Sequence, residues 1–358
     1  MRFGRTNVNK FLVGEQRRNP AIAGDFAMLI SDVVRTCKAI SQTVSLGKLV
    51  ERGNDTMTSP SPTETQMALK EMASELFVEH CEWGGHLAGM SSADMDSIHS
   101  LQTDGRGGKY LLLCDPLDGS SNIDINLTVG SIFSVLRCQE DSPGMSVNDF
   151  LQAGSKQVAA GYALFGSSTM MVLTVGTGTH GFTLDREIGE FMLTHPNLKI
   201  PAETQNFSIN ASNERFWEPP IRRYVEECLA GQTGVREKDF NMRWAAASVA
   251  NVHHILMRGG VILYPQDTRD GQGTGQIALL HKANPLAMVI EQAGGMASTG
   301  YVRISDIQPA SLHQKVPVIL GSHAEIQRID RYHQEYLNGD DKPFSSPLFG
   351  TRTLFRAN

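Results

Sequence analysis

From Asp25 to Leu46 the apolar residues Phe26, Leu29, Ile30, Val33, Val34, Cys37, Ile40 and Val44 recur at steps of three and four. That spacing predicts a long helix with one buried stripe. The next stretch, Asn54 to Glu64, has no period and carries Ser59-Pro60-Ser61-Pro62, so it reads as an exposed loop. Helical spacing resumes from about Gln66 to Val78. Lys109-Tyr110-Leu111-Leu112-Leu113-Cys114 is a short, nearly continuous apolar run ending in a Pro, Gly and Ser cluster, the pattern of a buried strand that feeds a loop. Val129 to Leu136, Val158 to Phe165, Met170 to Val175 and Gly181 to Leu184 are further strands, with turns at Gly166-Ser167-Ser168 and Gly176 to Gly178. So many neighbouring strands predict an antiparallel or mixed sheet.

A polar, proline-containing passage at Asn197 to Thr204 is the candidate lobe boundary. It divides the chain into an N-terminal lobe over 1–200, a C-terminal lobe over 201–335 and a tail over 336–358. In the second lobe, Ala246 to Arg258 reads as a helix stopped by Gly259-Gly260, and Val261 to Tyr264 as the strand that follows. Asn284-Pro285 reads as a cap plus first-turn proline, Leu286, Val289 and Ile290 as an apolar stripe, and Gly294-Gly295 as the stop. No internal repeat is visible, and the mixed tail leaves its own order open.

The length of 358 residues exceeds the roughly 250 to 300 at which a single core stops growing, which again favours two lobes. With 41% apolar and 20% charged residues the composition is that of a soluble globular protein, not a disordered or fibrous one. Lysine and arginine total 32 against 38 acids, a net charge of −6, so no basic face is supplied for nucleic acid. Cys37, Cys81, Cys114, Cys138 and Cys228 are odd in number, widely spaced and free of CxxC pairs. Neither a disulfide framework nor a zinc ribbon fits, and a reducing cytoplasm is the expected home. Only Phe11, Leu12 and Val13 form a continuous apolar run near the first residue, and no run reaches membrane-spanning length, so neither targeting nor a membrane partner is expected.

Asp115-Pro116-Leu117-Asp118-Gly119-Ser120-Ser121-Asn122 puts two carboxylates three residues apart at the end of a strand. Hard divalent cations take such oxygens, and the following Gly, Ser and Ser can present amides and hydroxyls to a phosphate. A bare DxxDGS pattern also suits a solvated turn. His253-His254 point in different directions on a helix and are assigned no role. Gly271, Gly273 and Gly275 in DGQGTGQ lack the strand, spacing and lysine of a nucleotide loop and read as a flexible turn.

Around that loop, KYLLLCDPLDGSSNIDINLTVGSIFSVLR (Lys109 to Arg137), EWGGHLAGM (Glu82 to Met90) and NPLAMVIEQAGGMASTG (Asn284 to Gly300) closely resemble class I fructose-1,6-bisphosphatase. The likeness runs from about Phe11 to Arg328, through LVGEQRRNP at Leu12 to Pro20, HPNLKIP at His195 to Pro201 and RGGVILYP at Arg258 to Pro265. Inositol monophosphatases share only a related loop. The resemblance implies an α/β fold of αβαβα layers with mixed sheets. It also implies a homo-oligomer, a tetramer or dimer, and magnesium-assisted attack of water on the 1-phosphate of fructose 1,6-bisphosphate. It makes Asp115 and Asp118 metal ligands and catalytic residues, with Asp94 a third, weakened ligand. Gly119, Ser120 and Ser121 become the phosphate-holding loop. Asn210, Arg243 and Tyr264 become contacts to the remote phosphate, Arg243 reaching across a subunit interface.

Other positions depart from the pattern implied by the resemblance. Lys70 falls where the family has a water-activating Asp, with Glu71 and Glu75 as alternative acids nearby. A Ser-Glu-Glu segment falls on Ser92-Ala93-Asp94, and a glutamate falls on Lys282. The Lys and Arg that steady phosphate and sugar fall on Gln276 and Ala278, and threonines of an AMP site fall on Ala23 and Ala27, while Lys109, Tyr110 and Arg137 match it. Over six metal-site positions the formal charge drops from −6 to −1, so two ammonium groups should repel Mg²⁺. Three readings follow. The first is a divergent member that binds a sugar phosphate or other anionic metabolite, its magnesium phosphatase chemistry lost or replaced, with Lys70 and Lys282 in altered catalytic roles and no cofactor expected. The second is an active fructose-1,6-bisphosphatase using Mg²⁺, and the third is a non-catalytic assembly partner.

Overall fold

A computed structural model describes residues 6–18, 24–47, 62–101, 108–138, 145–269 and 275–340. The helices are α1 (Val8–Arg18), α2 (Gly24–Leu46), α3 (Pro62–Glu82), α4 (Val147–Phe150), α5 (Pro219–Leu229), α6 (Ser248–Arg258), α7 (Asn284–Gln292) and α8 (His323–Leu337). Strands β1 (Leu87–Ser92), β2 (His99–Ser100), β3 (Tyr110–Asp118), β4 (Val129–Arg137), β5 (Ala159–Phe165), β6 (Thr169–Thr174), β7 (Thr179–Asp185) and β8 (Glu190–Leu198) form one sheet, ordered β2-β1-β3-β4-β5-β6-β7-β8. Only β1 and β3 run parallel in it. A second sheet joins β9 (Asn206–Ile209), β10 (Asn241–Met242), β11 (Val261–Tyr264), β13 (Met296–Ser298) and β15 (Val318–Gly321) in the order β10-β9-β11-β15-β13, and β12 (Ile277–Ala278) pairs with β14 (Lys315–Val316).

The alternation of side chains in a strand explains how the layers stack. Phe133 and Val135 of β4 pack with the stripe of α2 (Phe26, Leu29, Ile30, Val33, Cys37) and with Phe77 of α3 on one face of the large sheet. Ile132 of β4 and Tyr162 of β5 turn to the other face, against Val252 and Ile255 of α6 and Leu286 and Ile290 of α7. The same two helices take Ile262 and Leu320 of the second sheet on their far side. Val261, Leu263 and Ile319 face the opposite way, onto Ile221 and Tyr224 of α5 and Ile326 and Ile329 of α8. The result is helix, sheet, helix, sheet, helix, as the resemblance implies. Each large side chain removed from water in these layers contributes about 1.5–3 kcal/mol.

The elements expected from periodicity are present with small shifts. The first long helix begins at Gly24, the third extends from Pro62 to Glu82, and β11 covers Val261 to Tyr264 as expected. The approach to α7 differs. A π-helical turn, Leu279–Ala283, runs straight into it. Asn284 is therefore already helical (φ −61°, ψ −51°) and is not a cap, and its Oδ1 has no hydrogen-bond partner. Most of the proline-bearing loop (54–61), Ala23, Gly271, Gly273 and the tail from 341 onward lie outside the described residues.

Candidate active site

The DPLDGSS segment closes the buried strand β3. Its pairing with β4 shifts between Asp115 and Asp118, which are opposite Ile132 and Gly130, so the strand kinks where the two carboxylates emerge. Gly119 then turns left-handed (φ +76°), and a side chain there would place its Cβ 2.4 Å from Cβ of Ala247. Only glycine meets both demands. Ser120–Asn122 follow as a 3-10 turn, closed by N–H bonds from Asn122 to Gly119 O and from Ile123 to Ser120 O. Ser92 of the parallel neighbour β1 pairs with Cys114, so Asp94 emerges beside Asp115 at the carboxyl ends of two parallel strands. In open α/β sheets that edge is where ligands bind.

Three other elements converge on this edge. At the start of α6 the Val249 N–H donates to Asp118 Oδ2 (2.9 Å), which sets a carboxylate at a helix N-terminus. From the π-helical turn, Lys282 Nζ donates to Asp118 Oδ1 (2.9 Å) and lies 2.6 Å from Asp115 Oδ2, the latter an ion pair without hydrogen-bond geometry. From α3, Gln66 and Lys70, one turn apart, both reach the site. Gln66 Nε2 donates to Ser120 Oγ (2.8 Å), and Lys70 Nζ donates to Asp94 Oδ1 (2.8 Å). Glu71 and Glu75, the alternative acids, are exposed. Ala93 uses its N–H on Cys114 O.

The electrostatics follow from burial and pairing. Burial raises the Asp115 carboxyl, Lys282 opposes that rise, and the nearby Asp118 adds to it. Burial alone would lower the Lys282 ammonium, but Asp118 and Asp115 together outweigh it and the net direction is up. The lysine is therefore held charged although its side chain is only 24% exposed.

The neighbouring cleft is floored by Asn210, Tyr264, Trp244, Asp267, Arg269 and Gln276. Asn210 Oδ1 accepts from Ser212 N (3.2 Å) and Ser212 Oγ (2.7 Å). Tyr264 packs against Trp244 with ring centres 5.3 Å apart and planes tilted by 60°, accepts from Asn251 Nδ2 (3.4 Å), and has its phenol pushed up to about 12, first by burial and then by Asp118. Buried Asp267 holds both Arg269 (Nη2, 2.7 Å) and Gln276 (Nε2, 2.9 Å) at the rim. Ala278 sits half-buried on β12. Arg243 lines the adjoining cleft with Trp244, Ser208, Asn251 and His254, and is not among the residues lining the cleft of Asn210 and Tyr264. Reasoning from sequence missed Gln66, Trp244 and Arg269. For Gln66 the helical spacing to Lys70 was the available signal; for Arg269 it was Asp267 two residues before it.

Outside the site, His253 Nδ1 and the Tyr162 hydroxyl share a hydrogen bond of 3.0 Å. Lys109 pairs with Asp25 (3.3 Å), and the Arg137 guanidinium lies 5.8 Å from the Tyr110 ring centre.

The resemblance implies magnesium, and the donor set does not fit it. Lys282 Nζ occupies the point between Asp115 and Asp118, Lys70 takes Asp94, and among the described residues no three His, Cys, Asp or Glu side chains converge.

Comparison with known proteins places this geometry. The profile described as "Fructose-1-6-bisphosphatase, N-terminal domain" matches residues 6–196, and that of the C-terminal domain matches 200–334. "Fructose-1,6-bisphosphatase class 1" of Hydrogenophilus thermoluteolus is 51% identical over 350 residues, 98% of this chain and 97% of that protein. Its namesake from Methylacidiphilum infernorum (isolate V4) is 51% identical over 356 residues, 99% of both. The Leishmania major fructose-1,6-bisphosphatase crystal structure in holo form matches with a TM-score of 0.81 at 33% identity, covering 90% of this chain and 98% of that one.

These relatives overturn the expectation of a divergent member whose phosphatase chemistry has been lost or replaced. Proteins bearing the phosphatase name share half of all positions along essentially the whole length, and divergence finds no support in that identity. It is this identity to named phosphatases, and not the charge balance of the site, that overturns the expectation. By its two domain profiles and its relatives, the chain belongs to the fructose-1,6-bisphosphatase family.

Proposed function

We propose that this chain is a working phosphatase that hydrolyses fructose 1,6-bisphosphate to fructose 6-phosphate and inorganic phosphate. The observation that carries the reading is the Gly119–Ser121 turn at the carboxyl ends of β1 and β3, with two carboxylates at its root, in a chain 51% identical to proteins of that name. Water attacks the 1-phosphorus, the bond from phosphorus to the sugar oxygen breaks, and the sugar leaves as an alcohol after taking up a proton. Gly119, Ser120 and Ser121 hold the transferring phosphate through the leading amides of the 3-10 turn and the serine hydroxyls. Gln66 fixes the Ser120 hydroxyl. Asp115 and Asp118 anchor the Lys282 ammonium beneath the phosphate, and Lys70, balanced by Asp94, supplies a second cation at the rim. Asn210 and Tyr264 receive the remote phosphate, with Arg269 presented at the same cleft by Asp267.

Arg243, which lines the adjoining cleft and not the one lined by Asn210, suits a contact to the remote phosphate in a second copy, which supports a homo-oligomer, a dimer or tetramer. A lobe boundary near residue 200 is supported by the step from β8 into the second sheet. A cytoplasmic location rests on the cysteine usage, and among the described residues no helix is long and apolar enough to cross a membrane. The test is phosphate release from fructose 1,6-bisphosphate by the purified chain across magnesium, manganese and chelator series, with Asp118→Asn as the control for contaminating enzyme. Release lost in the control supports the reading, and no release above it in any series refutes it.

A further inference from the structure

We infer that the ammonium of Lys282 is the resident cation of this site, standing between Asp115 and Asp118 so that a phosphorylated sugar is bound there without a divalent ion between those carboxylates. The inference deepens the phosphatase reading and rests on it for the identity of the sugar phosphate. Its physical basis is that every carboxylate of the site is already engaged. Asp118 gives Oδ2 to the Val249 amide and Oδ1 to Lys282, Asp115 Oδ2 lies 2.6 Å from the same ammonium, and Asp94 Oδ1 takes Lys70. A metal entering between Asp115 and Asp118 would have to expel the ammonium and leave it without a partner in a poorly solvated place.

The backbone holds Lys282 there. In its π-helical turn, Leu279, Leu280, His281 and Ala283 are buried and Lys282 alone is half-exposed. His281 Nε2 lies 3.0 Å from Ser91 Oγ on β1, and its ring stacks 5.7 Å from that of His313, which ties the turn to the sheet. Single π-helical turns are frequent at functional sites. An ammonium has three N–H donors, of which Lys282 gives one to Asp118 while its charge is paired with Asp115, so donors remain for a phosphate oxygen at the Gly119–Ser121 loop. Lys70, on its separate carboxylate, repeats the arrangement.

The experiment reads metal and anion binding directly, apart from turnover. Mn²⁺ is titrated into the full chain with inorganic phosphate present and followed by electron paramagnetic resonance, for the wild type and for Lys282→Met. The wild type should leave Mn²⁺ free through the micromolar range, while Lys282→Met, with both aspartates released, should bind it at least about tenfold more tightly. In chelator, inorganic phosphate should bind the wild type and bind Lys282→Met about tenfold more weakly. Stoichiometric, tight Mn²⁺ binding by the wild type overturns the inference, as does phosphate binding indifferent to the substitution. If Lys282→Met does not fold, the wild-type Mn²⁺ titration decides alone. Failure of the phosphatase reading would show instead as absent phosphate release, with the Mn²⁺ result unaffected.

Discussion

The backbone amide of Val249 and the carboxylate of Asp118 meet at 2.9 Å, so the start of α6 and the end of β3 are joined by the residue that also holds Lys282. Asp118→Asn keeps the shape but removes one of the two charges that balance the lysine. Phosphate release should fall by at least about a hundredfold. The folded state should lose about 1–3 kcal/mol, less than for a fully buried pair because Lys282 is partly solvated. Denaturant titration and a phosphate assay on the same preparation check both.

Gly119→Ala tests the turn itself. The substitution strains a left-handed residue and drives a methyl into Ala247, so a loss of about 1–3 kcal/mol is expected together with loss of phosphate release. Wild-type stability and activity in this variant would contradict the assigned role of the turn.

A control lies far from the site. Glu325 accepts two bonds from Arg236 Nη2, at 2.6 and 2.7 Å, and one from the Tyr224 hydroxyl at 2.9 Å, all buried between α5 and α8. Glu325→Gln should cost about 3–5 kcal/mol by leaving a buried guanidinium without its counter-charge. Activity per folded molecule should be unchanged, measured at a temperature where both proteins are native.

Acid should weaken the fold through His253. Burial, and then His195 and His254, push its imidazole down to about 4, while the unfolded value stays near 6.5. Between these values the unfolded chain binds the proton and the folded one does not. Stability is therefore full above about 6.5 and is lost as pH falls toward 4, at a slope of about 1.4 kcal/mol per pH unit from this residue. Comparing urea midpoints at several pH values in the wild type and His253→Gln measures that contribution, which should vanish in the variant.

The layered fold was legible because its signals are local. The stripe of α2, the apolar run of β3, and the Gly259-Gly260 stop before β11 each declare themselves within a dozen residues. The entry to α7 was not legible, since Asn284-Pro285 looks like a cap and only the packing of Leu279, Leu280, His281 and Ala283 makes a π-helical turn there instead. Within the site, the Asp115 to Ser121 loop could be read directly, but the partners of its charges could not. Lys282 meets Asp118 across 164 residues and Lys70 meets Asp94 across 24, pairings that no local pattern declares.

The most direct measurement is phosphate release from fructose 1,6-bisphosphate by the full chain, alongside Asp118→Asn prepared identically. Turnover on the order of 1 to 1000 per second that disappears in the variant is the predicted result. Release no greater than that of the variant, with magnesium, with manganese and in chelator, from a protein that is folded, would contradict the assignment of phosphatase activity to this chain.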